Sequence, residues 1–314
     1  MIREVKKTFR SPAPPPPAAL AIKVRTLAPS MSRSVGQVAQ VLVGDPAGCA
    51  VLTVTALARL AGTSEATVVR TARILGYSGY RDLRVALSVL AAQQESGQAP
   101  AVTSDIGVDD PIADVVAKLA RDEQQTLAET AACVDTRQLA AAVAAAVAAA
   151  ATARRVAVYG IGASCLVGQD LAQKLLRIGL VAHAHTDPHL AVTNAVLLRQ
   201  GDVAIAITDS GSTEDVIEPL RAAFERGATT IAITGNPVGP VARYADHLLT
   251  TTTTRESELR PAAMSSRTGQ LLLIDCLFVG IAQRTYTTAA PALAASYEAL
   301  AHRHVPNPRQ PPHD

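Results

Sequence analysis

DVAIAITDSGSTEDVIEPLRAAFERGATTIAIT, residues 202–234, contains two short apolar runs that are separated by a segment of helical periodicity. The first run is continuous rather than alternating, which is typical of a strand that is buried on both faces. A loop of small polar residues follows it, and apolar residues then recur at the spacing of an amphipathic helix as far as Gly227. A strand, a helix and a second strand in this order predict a parallel sheet with helices on both faces.

The same alternation continues on either side of these residues. Further strand-like runs occupy 155–160, 181–185 and 247–251. The helical segments between the strands end at glycine, as helices commonly do, at Gly179, Gly201 and Gly227. We therefore predict a doubly wound, flavodoxin-like α/β domain with a five-stranded parallel sheet.

The rest of the chain divides into regions of different composition. Helical spacing in three successive apolar segments, without strand-like alternation, predicts an all-α domain before the sheet. Both ends of the chain are rich in proline and are expected to be disordered. The predicted organisation is a basic, proline-rich tail (1–29), the all-α domain (30–92), a linker without periodicity (93–110), the α/β domain with N-terminal helices over 111–153 (111–290), and a C-terminal helix with a disordered tail (291–314).

Charge is distributed unevenly along the chain, although the formal net charge is only +2. Residues 1–90 carry 12 Lys and Arg against 4 Asp and Glu, whereas residues 91–314 carry 17 against 23. A basic N-terminal third on an acidic remainder indicates that the first part meets a polyanion such as nucleic acid. A solvated basic face is the alternative.

Several classes of protein are disfavoured by what the sequence lacks. The four cysteines are scattered, with no C-x-x-C pair and no histidine cluster, which argues against a metal site and fits a reducing compartment. Prolines interrupt the N-terminal segment, so it lacks the continuous apolar stretch that a signal peptide requires. No run is long and apolar enough to span a bilayer. We therefore expect a cytoplasmic protein with no metal and no membrane partner.

Two loops of the predicted sheet carry residues suited to an anion. YGIGAS (159–164) follows the first strand and TDSGST (208–213) follows the third, and both lead into helix N-termini. Backbone N–H groups and hydroxyls there can face a phosphate at the positive end of the helix dipole. Ser164 and Thr213 have a simpler alternative, because each could only cap its helix. The dinucleotide fingerprint G-x-G-x-x-G fails at Cys165, so no nicotinamide cofactor, and no other cofactor, is expected.

GIGASCLVGQDLAQKLLRIG, together with the stretch quoted first, resembles the sugar isomerase (SIS) domain, whose pattern is a G-x-G-x-S loop followed by an S-x-S-G-x-T loop. Thr208 stands where the family has its first serine and keeps the hydroxyl, whereas Ser212 stands where the family often has Glu. The resemblance implies a site for a phosphorylated sugar. The phosphosugar-binding residues that it implies are Gly162, Ser164, Thr208, Ser210, Gly211, Ser212 and Thr213.

VTALARLAGTSEATVVRTARIL, residues 54–75, has the layout of a helix-turn-helix. Gly62 permits the tight turn, and Ser64 can cap the second helix. The face on which the two helices pack is expected to include Ala58, Val68 and Ile74. The outer face and the segment after it carry groups that suit bases and phosphates. The expected DNA-binding residues are Thr63, Ser64, Glu65, Thr67, Arg70, Arg73, Tyr77 and Arg81.

LARLAGTSEATVVRTARILGYSGYRDLR closely resembles the N-terminal domain of RpiR-type transcriptional regulators, a family that joins this domain to an SIS domain. Tyr77 and Tyr80 stand where that family usually has Phe, and Thr71 replaces an aromatic residue. The resemblance covers about residues 30–286. It implies a non-enzymatic regulator of carbohydrate or amino-sugar metabolism. Such a regulator binds a double-stranded DNA operator as a homodimer or homotetramer, under the control of a sugar phosphate.

A phosphosugar isomerase is the alternative function. Aldose–ketose isomerisation needs a base within hydrogen-bond reach of the sugar carbons. The candidate bases are His189, Glu256 and Glu258, each of which has an ordinary alternative role as a helix-end or loop residue. An isomerase has no need of a basic reading helix, so the sequence favours a regulator without catalytic residues.

Overall fold

The computed structural model describes residues 31–95, 106–252 and 262–301, together with Leu20, Lys23, Val24, Leu27 and Ala28. Its N-terminal region is helical, as predicted. The helices described between residues 31 and 95 are α1 (Arg33–Gly44), α2 (Pro46–Val51), α3 (Val54–Leu60), α4 (Glu65–Ile74) and α5 (Tyr80–Glu95).

Local hydrogen bonds fix where the short helices begin. The side chain of Asp45 accepts from the N–H of Gly48 at the start of α2, and Thr53 does the same for α3. Ser64 accepts from the N–H of Thr67 at 3.2 Å and so caps α4, as the sequence predicts. The helices bury one apolar core, which includes Val38, Leu42, Leu57, Val68, Leu75, Leu83 and Leu87.

Two predictions for this region are wrong. Leu20, Val24 and Leu27 were assigned to the tail, yet all three are buried in the same core, so the helical domain includes Leu20 and does not begin at 30. Ile74 was assigned to the packing face, yet it is 36% exposed. The buried stripe of α4 runs through Val68, Thr71, Ala72 and Leu75, which is the spacing that a helical repeat of 3.6 residues requires. Residues 1–19 of the predicted tail lie outside the described residues.

The second region alternates strands and helices. Its elements are α6 (Ile112–Cys133), α7 (Thr136–Ala151), β1 (Arg155–Gly160), α8 (Ala163–Arg177), β2 (Val181–His185), α9 (Pro188–Ala195), β3 (Val203–Ile207), α10 (Glu214–Glu225), β4 (Thr229–Thr234), a 3-10 helix (Pro240–Tyr244), β5 (His247–Thr250), α11 (Ala262–Arg284) and α12 (Tyr286–Ala301). All neighbouring strands are parallel, in the order β2-β1-β3-β4-β5. The predicted doubly wound sheet of five strands is therefore confirmed.

Alternation of side-chain size along the strands decides which helices cover which face. The larger branched residues of β1, β3 and β4 point to one side, where they pack on α7, α8 and α11. Their alanines, together with Tyr159, point to the other side and pack on α9 and α10. Successive residues of a strand face opposite ways, so each strand contributes to both cores. The sheet is consequently buried on both faces, which explains why its strands read as continuous apolar runs.

The ends of the second region differ from the predicted boundaries. α12 crosses the boundary predicted at residue 290, and its Ala289 is buried in the core beside α11. Most of the predicted linker, residues 96–105, and the predicted tail over 302–314 lie outside the described residues. In the part of the chain that the structure describes, no single helix is both long and apolar enough to cross a membrane. α6 and α7 together pass that test of length and composition, but they are bent by 84° where they meet.

Candidate functional sites

The two predicted phosphate loops meet at one edge of the sheet. β1 and β3 are neighbours, and Gly160 at the end of β1 pairs with Ile207 at the end of β3. The chain reverses its direction of winding here, because β2 lies on one side of β1 and β3 on the other. Such a switch point at the carboxyl ends of parallel strands is where doubly wound sheets bind ligands.

The first loop turns tightly into α8. A Cβ atom on Gly160 would lie 2.8 Å from the backbone oxygen of Ser164, so only glycine allows this close approach. Gly162 stands at the N-cap position with a positive φ of 60°, which places Ser164 inside the first helical turn. The N–H groups of Ala163 and Ser164 precede the first hydrogen bond of α8, which Cys165 donates to Gly162, and they lie at the same end of the sheet as the Ser164 hydroxyl.

The second loop gathers hydroxyls in front of α10. Thr208 is buried, and its N–H donates to the carbonyl of Ile233 at 3.0 Å. Its hydroxyl lies 3.2 Å from that of Thr213, at the N-cap position of α10. The Ser210 hydroxyl accepts from both the N–H and the hydroxyl of Ser212, at 3.2 and 3.0 Å. Four hydroxyls therefore surround the positive end of one helix dipole.

Helix capping does not account for the loop hydroxyls. Thr213 stands at the N-cap of α10 but makes no side-chain cap hydrogen bond, and the N-cap of α8 is Gly162 rather than Ser164. Asp187, in contrast, caps the neighbouring α9 through its side chain. The interpretation of Ser164 and Thr213 as simple caps is therefore wrong. Their hydroxyls remain available to an anion.

A third loop, after β4, holds the second loop in place, and sequence reasoning missed it. The side-chain amide of Asn236 donates to the carbonyl of Ser210 at 3.1 Å, and the Thr234 hydroxyl donates to that of Asp209 at 3.2 Å. The N–H of Val241 donates to the carbonyl of Gly211 at 3.0 Å. These contacts join residues more than 20 positions apart, and only the turn-forming letters GNPVGP (235–240) signalled a loop there.

We expect Gly211→Ala to weaken anion binding at this site and to destabilise the domain by about 1–3 kcal/mol. Gly211 has a φ of +67°, and an added Cβ would lie 3.1 Å from the backbone oxygen of Asn236 and 3.1 Å from Thr234 Oγ1. Gly227→Ala is the matched control, because Gly227 also has a positive φ but an added Cβ meets nothing within 4 Å. Urea unfolding and phosphate titration of both variants check the prediction. Equal phosphate affinities in the two variants would contradict it.

Of the three candidate bases of an isomerase, the structure describes only His189. His189 is exposed in the first turn of α9, and its carbonyl accepts from the Thr193 hydroxyl. Glu256 and Glu258 lie outside the described residues. Cys165 is half-buried in the first turn of α8. Among the described residues, no group of three or more His, Cys, Asp or Glu side chains is placed to hold a metal ion.

The predicted reading helix, α4, presents a polar outer face. Arg70 and Arg73 are exposed one turn apart, and Arg81 is exposed at the start of α5. At the N-terminus of α4, Ser64 and Glu65 are exposed, and Thr63 and Thr67 are half-buried. Glu65 accepts a hydrogen bond of 2.6 Å from the Thr55 hydroxyl of α3, which fixes the two helices at this end. Seven of the eight predicted DNA-binding residues thus lie at least partly open to solvent.

Tyr77 is the exception, and its assignment to DNA binding is wrong. It is 2% exposed and packs in the helical core, because the turn after α4 directs its ring inward. Arg59, exposed in the last turn of α3, is a basic residue of the same region that sequence reasoning missed. The burial of the Tyr77 side chain raises the pKa of its hydroxyl to about 12.

We expect Tyr77→Phe to leave DNA affinity unchanged and to keep or raise stability, because the Tyr77 hydroxyl is buried and has no hydrogen-bond partner among the residues that the structure describes. The pKa of an unfolded tyrosine is about 10. Above that pH the unfolded chain loses the proton that the folded chain keeps, so the wild type loses stability between about pH 10 and 12. The variant lacks this component. Urea unfolding at several pH values measures it, and identical alkaline loss in both proteins would contradict the assignment.

Comparisons with known proteins match both regions. Residues 19–94 match the model of the helix-turn-helix domain of the rpiR family, and residues 151–280 match that of the SIS domain. An uncharacterized HTH-type transcriptional regulator of Caldanaerobacter subterraneus subsp. tengcongensis is 33% identical over 284 residues, which are 90% of this chain and 98% of that protein.

Solved structures give the same result. The Vibrio vulnificus NanR protein complexed with ManNAc-6P is 30% identical, with a TM-score of 0.56, and the match covers 91% of this chain and all of that one. The sugar isomerase domain of an RpiR transcription factor from Sphaerobacter thermophilus is 25% identical, with a TM-score of 0.53, over 59% of this chain and 99% of that one.

Proposed function

We infer the function of this chain from the premise that it belongs to the rpiR family of helix-turn-helix transcriptional regulators, with an SIS domain following the helix-turn-helix domain. We propose that it binds operator DNA through α4 and that a phosphorylated sugar at the loops after β1 and β3 controls this binding. The observation that carries the proposal is the meeting of hydroxyls and helix N-termini at the switch point of the sheet.

The DNA-binding half of the proposal rests on exposure and charge. Arg70 and Arg73 are three residues apart on the outer face of α4, where one guanidinium can reach a guanine edge and the other a phosphate. Thr63, Ser64, Glu65 and Thr67 lie at the N-terminus of the same helix, which is the part of a reading helix that contacts bases. A dimer places two such helices about one turn of DNA apart, which matches a palindromic operator.

The sensing half rests on the chemistry of the two loops. Residues 160–164 and 208–213 contain no Lys or Arg, so an anion there is held by N–H groups, hydroxyls and helix dipoles. A dianionic phosphate ester meets that set of donors. An amino sugar or another carbohydrate fits this description, and the similarity to NanR complexed with ManNAc-6P supports the class.

We propose sensing rather than turnover, in a cytoplasmic dimer or tetramer. The exposed arginines of α4 have no role in an isomerase, whereas a regulator requires them. The relay to the DNA-binding domain is proposed to run through α6, α7 and α11, which also form the dimer interface. Buried hydroxyls support this path, because Thr252 Oγ1 lies 2.9 Å from Thr130 Oγ1 of α6, and Gly269 of α11 packs against the same Thr130.

Two measurements on the full-length protein test the proposal. Selection from a random duplex library is expected to enrich one sequence with two related half-sites, bound with a steep dependence on salt. A panel of sugar phosphates that includes ManNAc-6P is expected to contain a compound that raises the melting temperature. Turnover of a sugar phosphate that is lost in His189→Ala or Glu258→Ala would favour the isomerase instead.

A further inference from the structure

Gln270 is a polar residue on the buried side of α11, one turn after the buried Ser266. Leu273, Ile274, Leu277 and Ile281 continue the same side toward the C-terminus of the helix, and all are buried in the core. Gln270 is itself fully buried. Its side-chain oxygen, Oε1, has no hydrogen-bond partner among the described residues. A buried unpartnered acceptor costs stability, so a glutamine here calls for a reason other than packing.

The other end of the Gln270 carboxamide lies at the first phosphate loop. Nε2 is 3.5 Å from Oγ of Ser164, at the long limit of a hydrogen bond. Functional hydrogen bonds are often long before the ligand binds and shorten in the complex. This contact joins α11 to α8 across 106 positions of the sequence. Ser164 has no cap role that would otherwise fix its hydroxyl.

We propose that Gln270 is a positioning residue for Ser164, and this inference rests on the proposed phosphate site. A serine hydroxyl has one hydrogen to donate and lone pairs that accept. The N–H of Gln270 occupies a lone pair of Ser164 Oγ, which leaves the hydroxyl hydrogen free to be donated to the anion. The reverse orientation of the carboxamide would present Oε1 to Ser164 and take that hydrogen away.

A bound anion reinforces the same orientation. The unprotonated oxygens of a phosphate only accept hydrogen bonds, so they bind Ser164 only when its hydroxyl donates to them. Gln270 then donates to Ser164, and Ser164 donates to the phosphate. The two hydrogen bonds polarise each other in the same direction, which strengthens both. The unpartnered Oε1 therefore costs stability, while the carboxamide as a whole favours anion binding. Functional sites commonly contain such exceptions to the rule that buried polar groups are hydrogen-bonded.

A double-mutant cycle tests the inference, with inorganic phosphate as the probe and calorimetric titration of the full-length protein as the measurement. Gln270→Met keeps the volume and removes both polar ends. We expect it to weaken phosphate binding about three- to tenfold, as the loss of one hydrogen bond does. In the Ser164→Ala background, the same change is expected to cost less than about twofold, because the effect passes through the Ser164 hydroxyl.

Gln138→Met is the matched control, since Gln138 of α7 also buries a side-chain oxygen that has no hydrogen-bond partner in the described part of the chain. We expect it to leave phosphate affinity unchanged. We expect the melting temperature of Gln270→Met to equal or exceed that of the wild type. Its loss of phosphate affinity would then come from the lost positioning of Ser164 and not from a packing defect. If that variant does not fold, Gln270→Leu replaces it in the cycle.

The outcomes distinguish this inference from the proposed function. Wild type that binds neither phosphate nor any sugar phosphate would overturn the proposed site, and the role of Gln270 with it. If the wild type and Gln270→Met bind phosphate with equal affinity, the role of Gln270 is overturned and the proposed site is not. If Gln270→Met lowers phosphate affinity by the same factor in the wild type and in the Ser164→Ala variant, the role is also overturned, because Gln270 then acts independently of Ser164.

Discussion

Ser210→Ala combined with Thr213→Ala is expected to lower the affinity for the sugar phosphate effector roughly 10²–10⁴-fold. Each hydrogen bond to a charged group contributes about 1.5–3 kcal/mol, and the double variant removes two of them. Thr213 makes no cap bond, but its hydroxyl lies 3.2 Å from that of the buried Thr208, and among the described residues the Ser210 hydroxyl bonds to Ser212 alone. The variant should therefore fold, with a loss of stability of about 1 kcal/mol for the hydrogen bond to Thr208.

Melting temperature against ligand concentration measures this effect. A ligand at a hundredfold excess over its dissociation constant stabilises the wild type by about 2.7 kcal/mol, and the variant should gain almost none of this. Thr288→Ala combined with Ser296→Ala is the matched control, because the two hydroxyls donate to backbone carbonyls three residues earlier in the chain, those of Thr285 and Leu293. Equal stabilisation of the two variants by the same compound would contradict the assignment of the loop.

Arg70→Glu combined with Arg73→Glu is expected to weaken operator binding at least about 10³-fold at physiological salt. One lost base contact costs about 1–3 kcal/mol, and a reversed charge beside a phosphate adds repulsion. The slope of log affinity against log salt should become shallower by about one for each phosphate contact that is lost. Both side chains are exposed, so the helical core is unaffected.

Fluorescence anisotropy with the selected operator measures this loss. Arg177→Glu combined with Arg226→Glu makes the same change of net charge on exposed residues at the ends of α8 and α10. That control should reduce affinity only slightly, through the long-range field of the protein. A loss of similar size in both variants would mean that α4 is not the reading helix.

The sheet could be predicted from the sequence because its signals are local. The run 203–207 is continuous and apolar, and α8 and α10 end beside glycines that adopt a positive φ, Gly179 and Gly227. The prediction for Gly201 is wrong, because α9 already ends at Ala195. The loops of the candidate site could be predicted for the same reason, since their small and hydroxyl residues are adjacent in the chain. The parallel pairing of β1 and β3 then brings the loops together.

The features that could not be predicted depend on contacts between distant residues. Gln270 and Asn236 reach the two loops from other elements, and nothing near them in the sequence indicates it. Tyr77 is polar enough to suit a DNA interface, and only the packing of the turn after α4 buries it. Leu20 belongs to the helical core although the prolines before it indicate disorder, because one apolar segment needs only a complementary surface to become ordered.

Operator affinity measured with and without the stabilising sugar phosphate tests the regulator function most directly. We expect the compound to change the affinity of the wild type about 5- to 150-fold, the range of a coupling of 1–3 kcal/mol, and DNA to change the affinity for the compound by the same factor. The variant with Ser210→Ala and Thr213→Ala should bind the operator normally and show no response. A wild type that binds both ligands, each with an affinity independent of the other, would contradict the proposed function.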